Sequence, residues 1–333
     1  MALKLALATG VYDRTRAFAD GSLKIEGVEV THTGQFPGDF FPKIFEDGAF
    51  DAAEMALTLY VATLDQEKPP FIAIPAFPVR FFRHSAVYVN RDSGIRAPGD
   101  LNGRRVGEML FYGHDAGVWM KGILADDFGV DHKTLHHFIG GAHQAMPEWN
   151  WVPHDRALRG DVRVEAIGDR RNLGDMLEAG ELDAVFTALA PPSFGTPGSR
   201  IERLFPDFEA VERDYYGRTG IFPIMHTVVI RREIYEQNRW LARALFDGFV
   251  AAKAAAERPY VHGATFMHTA FMMPWMTSLY EENRALLGAD WWPYGMAANR
   301  KPIDTFLRYH HEQGLSKRRY TSDELFAPET SNV

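Results

Sequence analysis

Cysteine is missing altogether from the 333 residues, which excludes disulfides, thiolate nucleophiles and zinc–thiolate sites together. Lysine and arginine number 36 against 44 acidic residues, for a formal charge of -8, so the basic stripe typical of nucleic-acid-binding chains is lacking. No apolar run approaches the ~18 residues of a membrane span. GxGxxG, Walker, GxSxG and HExxH motifs are also absent, and nicotinamide, nucleotide and serine-hydrolase readings lose their usual support. The stretch from Met1 to Gly10 is apolar but short, and its alternation of Leu3, Leu5 and Leu7 fits a first strand better than a secretory leader. A cytoplasmic location is therefore expected.

What is present is ample core material, 46% hydrophobic and 13% aromatic, in a length that suits two domains or two lobes. Strand-like and helix-like segments alternate, the pattern of an α/β architecture. Strands are expected at 3–8, 28–30, 52–55, 71–75, 86–89, 105–107, 162–166 and 221–230. Helices are expected at 39–46, 58–66, 116–128, 173–179, 234–257, 280–287 and 302–313, followed by a charged tail from Lys317 that wraps the surface. An internal echo links two units. Phe45-Glu-Asp-Gly-Ala-Phe-Asp-Ala-Ala53 resembles Leu177-Glu-Ala-Gly-Glu-Leu-Asp-Ala-Val185, each reading as helix end, glycine cap and strand. The expected division is a discontinuous first lobe, 1–95 plus 221–333, and a second lobe, 96–220. Ligands of open α/β sheets bind outside the carboxyl ends of strands, which would line a cleft with Glu54, Thr58, Thr187 and the loop Arg80–His84.

The densest chemistry lies in Phe77-Pro-Val-Arg-Phe-Phe-Arg-His-Ser85, between two apolar strands. Guanidinium forks hold carboxylates bidentately, aromatic rings such as Phe82 flank a flat ligand, and histidine moves protons near neutral pH. The structural alternative, buried phenylalanines with surface arginines, is equally open from the residues alone. Tyr12-Asp-Arg14 follows the first strand and adds Arg14 as a third carboxylate clamp. Tyr112 and His114 precede the helix at Ala116, where free amides favour an anion, and Asp115 reads as an N-cap. His226 sits in an apolar strand, where a hydrogen-bonded core histidine is the commoner outcome. His132 and His136 have i,i+4 spacing but no acidic companion; they read as a solvated helix end, and no metal is assigned.

At these residues the chain resembles the 4,5-dihydroxyphthalate decarboxylase family. The matching segments are Tyr12-Asp-Arg14, Phe50-Asp51 with Glu54-Met55, Pro69 to Pro75, Phe81 to Asn90, Gly220 to Arg232, Trp292 to Gly295 with Asn299 to Lys301, and Glu324 to Glu329. The match is weaker at Glu108 to Asp115 and at Gly141 to Pro153. The resemblance implies a type II periplasmic-binding-protein-like fold of two α/β lobes around a cleft. It also implies non-oxidative loss of carbon dioxide from a hydroxylated aromatic dicarboxylate, giving protocatechuate from 4,5-dihydroxyphthalate. The expected roles are carboxylate binding by Arg80, Arg83 and Arg14, acid catalysis by His226 or His84, and a base in Glu54 or the other histidine. The ring is its own electron sink, so no organic cofactor is required, while a divalent metal is left open. The expected partner is a small aromatic carboxylate, with neither nucleic acid nor membrane, and the protein is expected to be a homo-oligomer. A ligand-binding protein of the same fold without chemistry is the alternative.

Overall fold

The computed structural model describes residues 2–46 and 48–333. Its strands are β1 (Leu3–Thr9), β2 (Val28–Gly34), β3 (Ala52–Ala56), β4 (Phe71–Ile74), β5 (Val87–Asn90), β6 (Arg105–Met109), β7 (His136–Gly140), β8 (Arg163–Ala166), β9 (Ala184–Phe186), β10 (Ile201–Arg203) and β11 (His226–Arg231). They form two sheets, in the orders β2-β1-β3-β11-β4 and β10-β5-β9-β6-β7-β8. In each sheet most parallel strands are joined by helical crossovers, and one strand runs antiparallel to both its neighbours: β11 between β3 and β4, β5 between β10 and β9. The mixed α/β, two-sheet architecture is the one that the alternating pattern implied.

The internal echo is structural. Asp51 and Asp183 stand just before β3 and β9, and each carboxylate caps the neighbouring parallel strand. Asp51 Oδ2 accepts from the Ala6 amide at 2.8 Å, and Asp183 Oδ2 accepts from the Arg105 amide at 2.9 Å. The preceding Gly48 and Gly180 hold φ of 60° and 77°, a conformation that costs glycine nothing. Asp47, within the echo, and Met1 lie outside the described residues.

Several boundaries differ from expectation, each for a local reason. Val87–Asn90 pairs in the second sheet, so the chain changes sheets between Ile74 and Val87 rather than at 95. The expected strand 221–230 begins only at His226. Before it, Pro223 leaves an extended segment bridged to the Arg80 loop through Ile224. The expected helix 234–257 breaks at Asn238 into Arg232–Gln237 and Trp240–Gly263. His132 lies in a short turn and His136 and His137 in β7, so they share no helix face, and His137 is fully buried rather than solvated. The C-terminal tail does more than wrap the surface. Leu325, Phe326 and Ala327 are buried, and the Ala327 amide bonds to the Ala73 carbonyl, covering the free edge of β4.

The lobes are joined by one apolar core. Leu59 and Tyr60 of the first lobe pack with Phe111, Val118 and Trp119 of the second and with Phe306 and Tyr309 of the helix Arg300–Glu312. Trp119 Nε1 donates to the Ile224 carbonyl at 2.8 Å across this junction. Among the described residues no helix is long and apolar enough to cross a membrane.

Candidate active site

Between the lobes lies a cleft of about 1240 Å³, walled largely by Phe41, Phe82, Met109, Phe111, Trp149 and Trp292. At its base is a histidine held by a carboxylate. Antiparallel pairing sets His226 opposite Ala56 and Val228 opposite Glu54, which brings His226 Nδ1 to 2.5 Å from Glu54 Oε1. Glu54 is fully buried and fixed on all sides: Tyr12 Oη donates to Oε1 at 3.0 Å and the Gly10 amide to Oε2 at 2.8 Å. The ring is further set by an edge-on contact with Phe41. Its orientation is therefore decided on the Nδ1 side, and Nε2 is left toward the cleft.

Asp115 faces Nε2 from the second lobe, with Oδ2 3.9 Å away. It is the first residue of the helix Asp115–Phe128, and His114 occupies the capping position. Its Oδ1 accepts from the Thr58 amide at 2.8 Å, a bond between lobes. Burial pushes its carboxyl up to about 7, partly offset by His226, the Thr58 amide and Arg83.

Arg83 presents a cation to the cleft. It is buried, it lines the cleft, and its Nε has no hydrogen-bond partner among the described residues. Burial lowers the guanidinium to about 10, against the pull of Asp115 and Glu212, so it keeps its charge at neutral pH. A buried, charged fork opening into a cavity is poised for a carboxylate. His114 also lines the cleft, and burial lowers its pKa, leaving a neutral imidazole.

The turn that carries His114 and Asp115 is anchored from beneath. Glu108 Oε1 accepts from the Gly113 amide at 2.7 Å, and both Glu108 oxygens lie 2.7 Å from Lys121 Nζ. His114 and His137 add Nδ1 contacts at 3.4 Å. A Cβ at Gly117 would overlap Glu108 Oε1, so glycine there lets the carboxylate in. Leu110, at the start of this turn, holds φ of 68°, a strained value for a branched side chain at the cleft wall.

Of the residues singled out by sequence, Tyr12, Arg14, Arg80, Phe82, Arg83, His114 and His226 line the cleft, with Glu54 directly behind His226. Arg80 is a lining residue but is already engaged. Its guanidinium donates to the Phe222 carbonyl at 3.1 Å, the Pro293 carbonyl at 2.6 Å and Asn299 Oδ1, so it buttresses the wall rather than offering a free clamp. Arg14 is stacked between the rings of Tyr12 and Trp292, and its Nε donates to the Pro78 carbonyl.

His84 is away from the cleft. It is wedged against Phe205 and Tyr215, both ring nitrogens lack hydrogen-bond partners among the described residues, and burial lowers it to about 4. Tyr112 is turned inward onto His137 and Lys121. Thr58 is buried at the lobe junction, where its hydroxyl donates to the Gly113 carbonyl. Thr187 is fully buried and shapes the wall indirectly through its hydroxyl bond to the Leu189 carbonyl. The sequence marks Asp115 as an N-cap, whereas that position falls to His114, and no sequence signal points to Glu212. Among the described residues no group of three or more histidines and carboxylates is placed to hold a metal ion.

Comparison with known proteins places this chain in a family. The chain is 33% identical over 326 residues to the 4,5-dihydroxyphthalate decarboxylase of Comamonas testosteroni, covering 98% of this chain and 97% of that one. The chain belongs to the 4,5-dihydroxyphthalate decarboxylase family. A second member, from Pseudomonas putida, is 33% identical over 214 residues, covering 64% of this chain and 81% of that protein. No family model matches.

Among solved structures, the alkanesulfonate-binding protein SsuA of Xanthomonas axonopodis pv. citri superposes with a TM-score of 0.54 at 13% identity, covering 98% of this chain and 97% of that one. A Candida albicans protein described as having the generic periplasmic binding protein fold gives 0.50 at 11% identity, covering 95% and 91%. This member of the decarboxylase family therefore has the periplasmic-binding-protein fold.

Proposed function

We propose that the protein is a non-oxidative carboxy-lyase acting on a hydroxylated aromatic dicarboxylate, with 4,5-dihydroxyphthalate as substrate and protocatechuate and carbon dioxide as products. The observation that carries the reading is the convergence, on one aromatic cleft, of the buried Arg83, whose Nε has no hydrogen-bond partner among the described residues, and the oriented Nε2 of His226. Family membership supplies the substrate class.

The chemistry follows from the ring. The carboxylate to be lost lies para to a hydroxyl. Removing that hydroxyl's proton pushes an electron pair through the ring to the carbon bearing the carboxylate, which takes a proton from His226 Nε2. The resulting dienone loses carbon dioxide, the carbon–carbon bonding pair returns to the ring, and aromaticity and the phenol are restored. Arg83 would hold the retained carboxylate. The neutral imidazole of His114 would take the phenolic proton and return it. Glu54, fully engaged behind His226, orients the acid and is not itself the base. No step calls for an organic cofactor. The apolar walls would favour departure of a neutral product over a charged carboxylate. A ligand-binding protein without chemistry shares the fold but gives no reason for the His226–Glu54 pair.

Purified, chelator-treated protein should convert 4,5-dihydroxyphthalate to equimolar protocatechuate and carbon dioxide. His226→Gln should lower kcat roughly 10²-fold or more, the usual scale of general acid catalysis, while binding persists. A variant with wild-type turnover would remove His226 from the role. The same proposal takes the protein to be a cytoplasmic homo-oligomer. The exposed apolar run Phe266, Met267, Met272, Met273 and Trp275 is surface of the kind that subunits cover; light scattering and cell fractionation test these two points.

A further inference from the structure

The proposed reaction consumes a proton. A carboxylate leaves as a neutral molecule, and the ring carbon keeps the hydrogen that His226 gave it. The imidazole must therefore be reloaded in every cycle, and its surroundings restrict how. Nδ1 is closed off by Glu54, whose own oxygens are committed to Tyr12 and the Gly10 amide. On the Nε2 side, Asp115 Oδ2 at 3.9 Å is the carboxylate oxygen within reach among the described residues.

Asp115 is built for more than starting a helix. Oδ1 is held by the Thr58 amide from the opposite lobe, which fixes the carboxyl plane, while Oδ2 has no hydrogen-bond partner among the described residues and the side chain lines the cleft. A para hydroxyl stands a full ring's width from the carbon being protonated, so Asp115, close to Nε2, serves the same end of the substrate as His226.

We propose that Asp115 is the proton carrier for His226, its Oδ2 passing a proton to Nε2 in each turnover. The Asp115 O–H bond breaks as the N–H bond forms, and the resulting carboxylate, which lines the cleft, recovers its proton from solvent. This assignment rests on the carboxy-lyase reading. The charged groups that act on Asp115 are His226 from β11 and Arg83 from the connection between β4 and β5, and burial outweighs both, keeping the carboxyl protonated up to about pH 7.

Asp115→Asn tests it, because the amide oxygen still accepts from Thr58 but carries no acidic proton. On 4,5-dihydroxyphthalate, kcat should fall about 10²-fold with KM little changed. The wild-type kcat should decline as pH rises through about 7, and that limb should vanish in the variant. A variant that keeps wild-type kcat, or loses kcat while retaining the alkaline limb, overturns the proposal, the second outcome marking a positioning role. If the variant does not fold, a wild-type profile with no limb near 7 overturns it equally. Absence of wild-type turnover would instead refute the carboxy-lyase reading itself, and this assignment with it.

Discussion

Lys121→Met is the most informative perturbation outside the cleft. Lys121 and Glu108 are both fully buried, and Nζ lies 2.7 Å from each Glu108 oxygen. At that separation two unit charges attract by about 6 kcal/mol at an effective dielectric near 20. Burial opposes the charge on Glu108, yet Lys121, His114 and His137 together hold its carboxyl well below the usual range. Methionine matches the stem of lysine but leaves that carboxylate unpaired in the core. Removing one partner of a buried pair costs about 3–5 kcal/mol. Spread over an unfolding entropy near 2.1 cal/mol/K per residue, this corresponds to a fall of roughly 6 °C in Tm for a chain of this length.

Activity should fall as well, because Glu108 holds the Gly113 amide at the turn that presents His114 and Asp115. The double variant Lys121→Met with Glu108→Gln should recover most of the stability, since glutamine still accepts from Gly113 and carries no charge. Urea titrations of wild type, both single variants and the double variant complete the cycle. A single variant within about 1 kcal/mol of wild type, or a double variant no better than Lys121→Met alone, refutes the reasoning.

Other outcomes follow from the same geometry. Arg83→Lys keeps the charge but loses the fork, and with charge-assisted bonds worth ~1.5–3 kcal/mol it should raise KM about 10- to 100-fold in steady-state kinetics. Arg80→Met should act on stability rather than on substrate. It strands the carbonyl of Phe222 and the amide oxygen of Asn299, while the Pro293 carbonyl keeps its bond from Asn299 Nδ2, and urea titrations should show a loss of about 1–3 kcal/mol. Burial lowers His84 to about 4 and His154 to about 3. The unfolded chain binds protons there first, so their contribution is complete above ~6.5 and is lost as pH falls toward those values. Asp115, raised to about 7, has the opposite sign: its contribution is complete below the ordinary carboxylate range and is lost as pH rises through 7. Urea midpoints should therefore rise between pH 4.5 and 6, and rise more steeply in Asp115→Asn.

The repeated unit was legible because its signals are local: a glycine cap, an aspartate, then an apolar strand. Asp51 and Asp183 do the same job in the two sheets. The Arg80–His84 loop was also legible as a cleft element, but not the direction of each residue. Arg83 and His84 are adjacent, and one opens into the cleft while the other packs against Phe205 and Tyr215. Composition cannot separate neighbours that point to opposite sides of the chain. Tyr112 and His114 divide in the same way. Asp115 was hidden for another reason. Its partners Thr58 and His226 lie 57 and 111 positions away in the chain, and a single acid before a helix has a sufficient local explanation as a cap. Arg80 looked like a ligand residue because its structural partners, Phe222, Pro293 and Asn299, come from distant segments.

The most direct test of the central claim is incubation of the purified protein with 4,5-dihydroxyphthalate, following protocatechuate and carbon dioxide together with binding. Equimolar formation of both products, abolished or strongly reduced in His226→Gln while binding persists, is the expected result. Tight binding with no product at any pH between 5 and 9, with or without added divalent metal, would contradict the carboxy-lyase reading and leave a ligand-binding protein of the same fold.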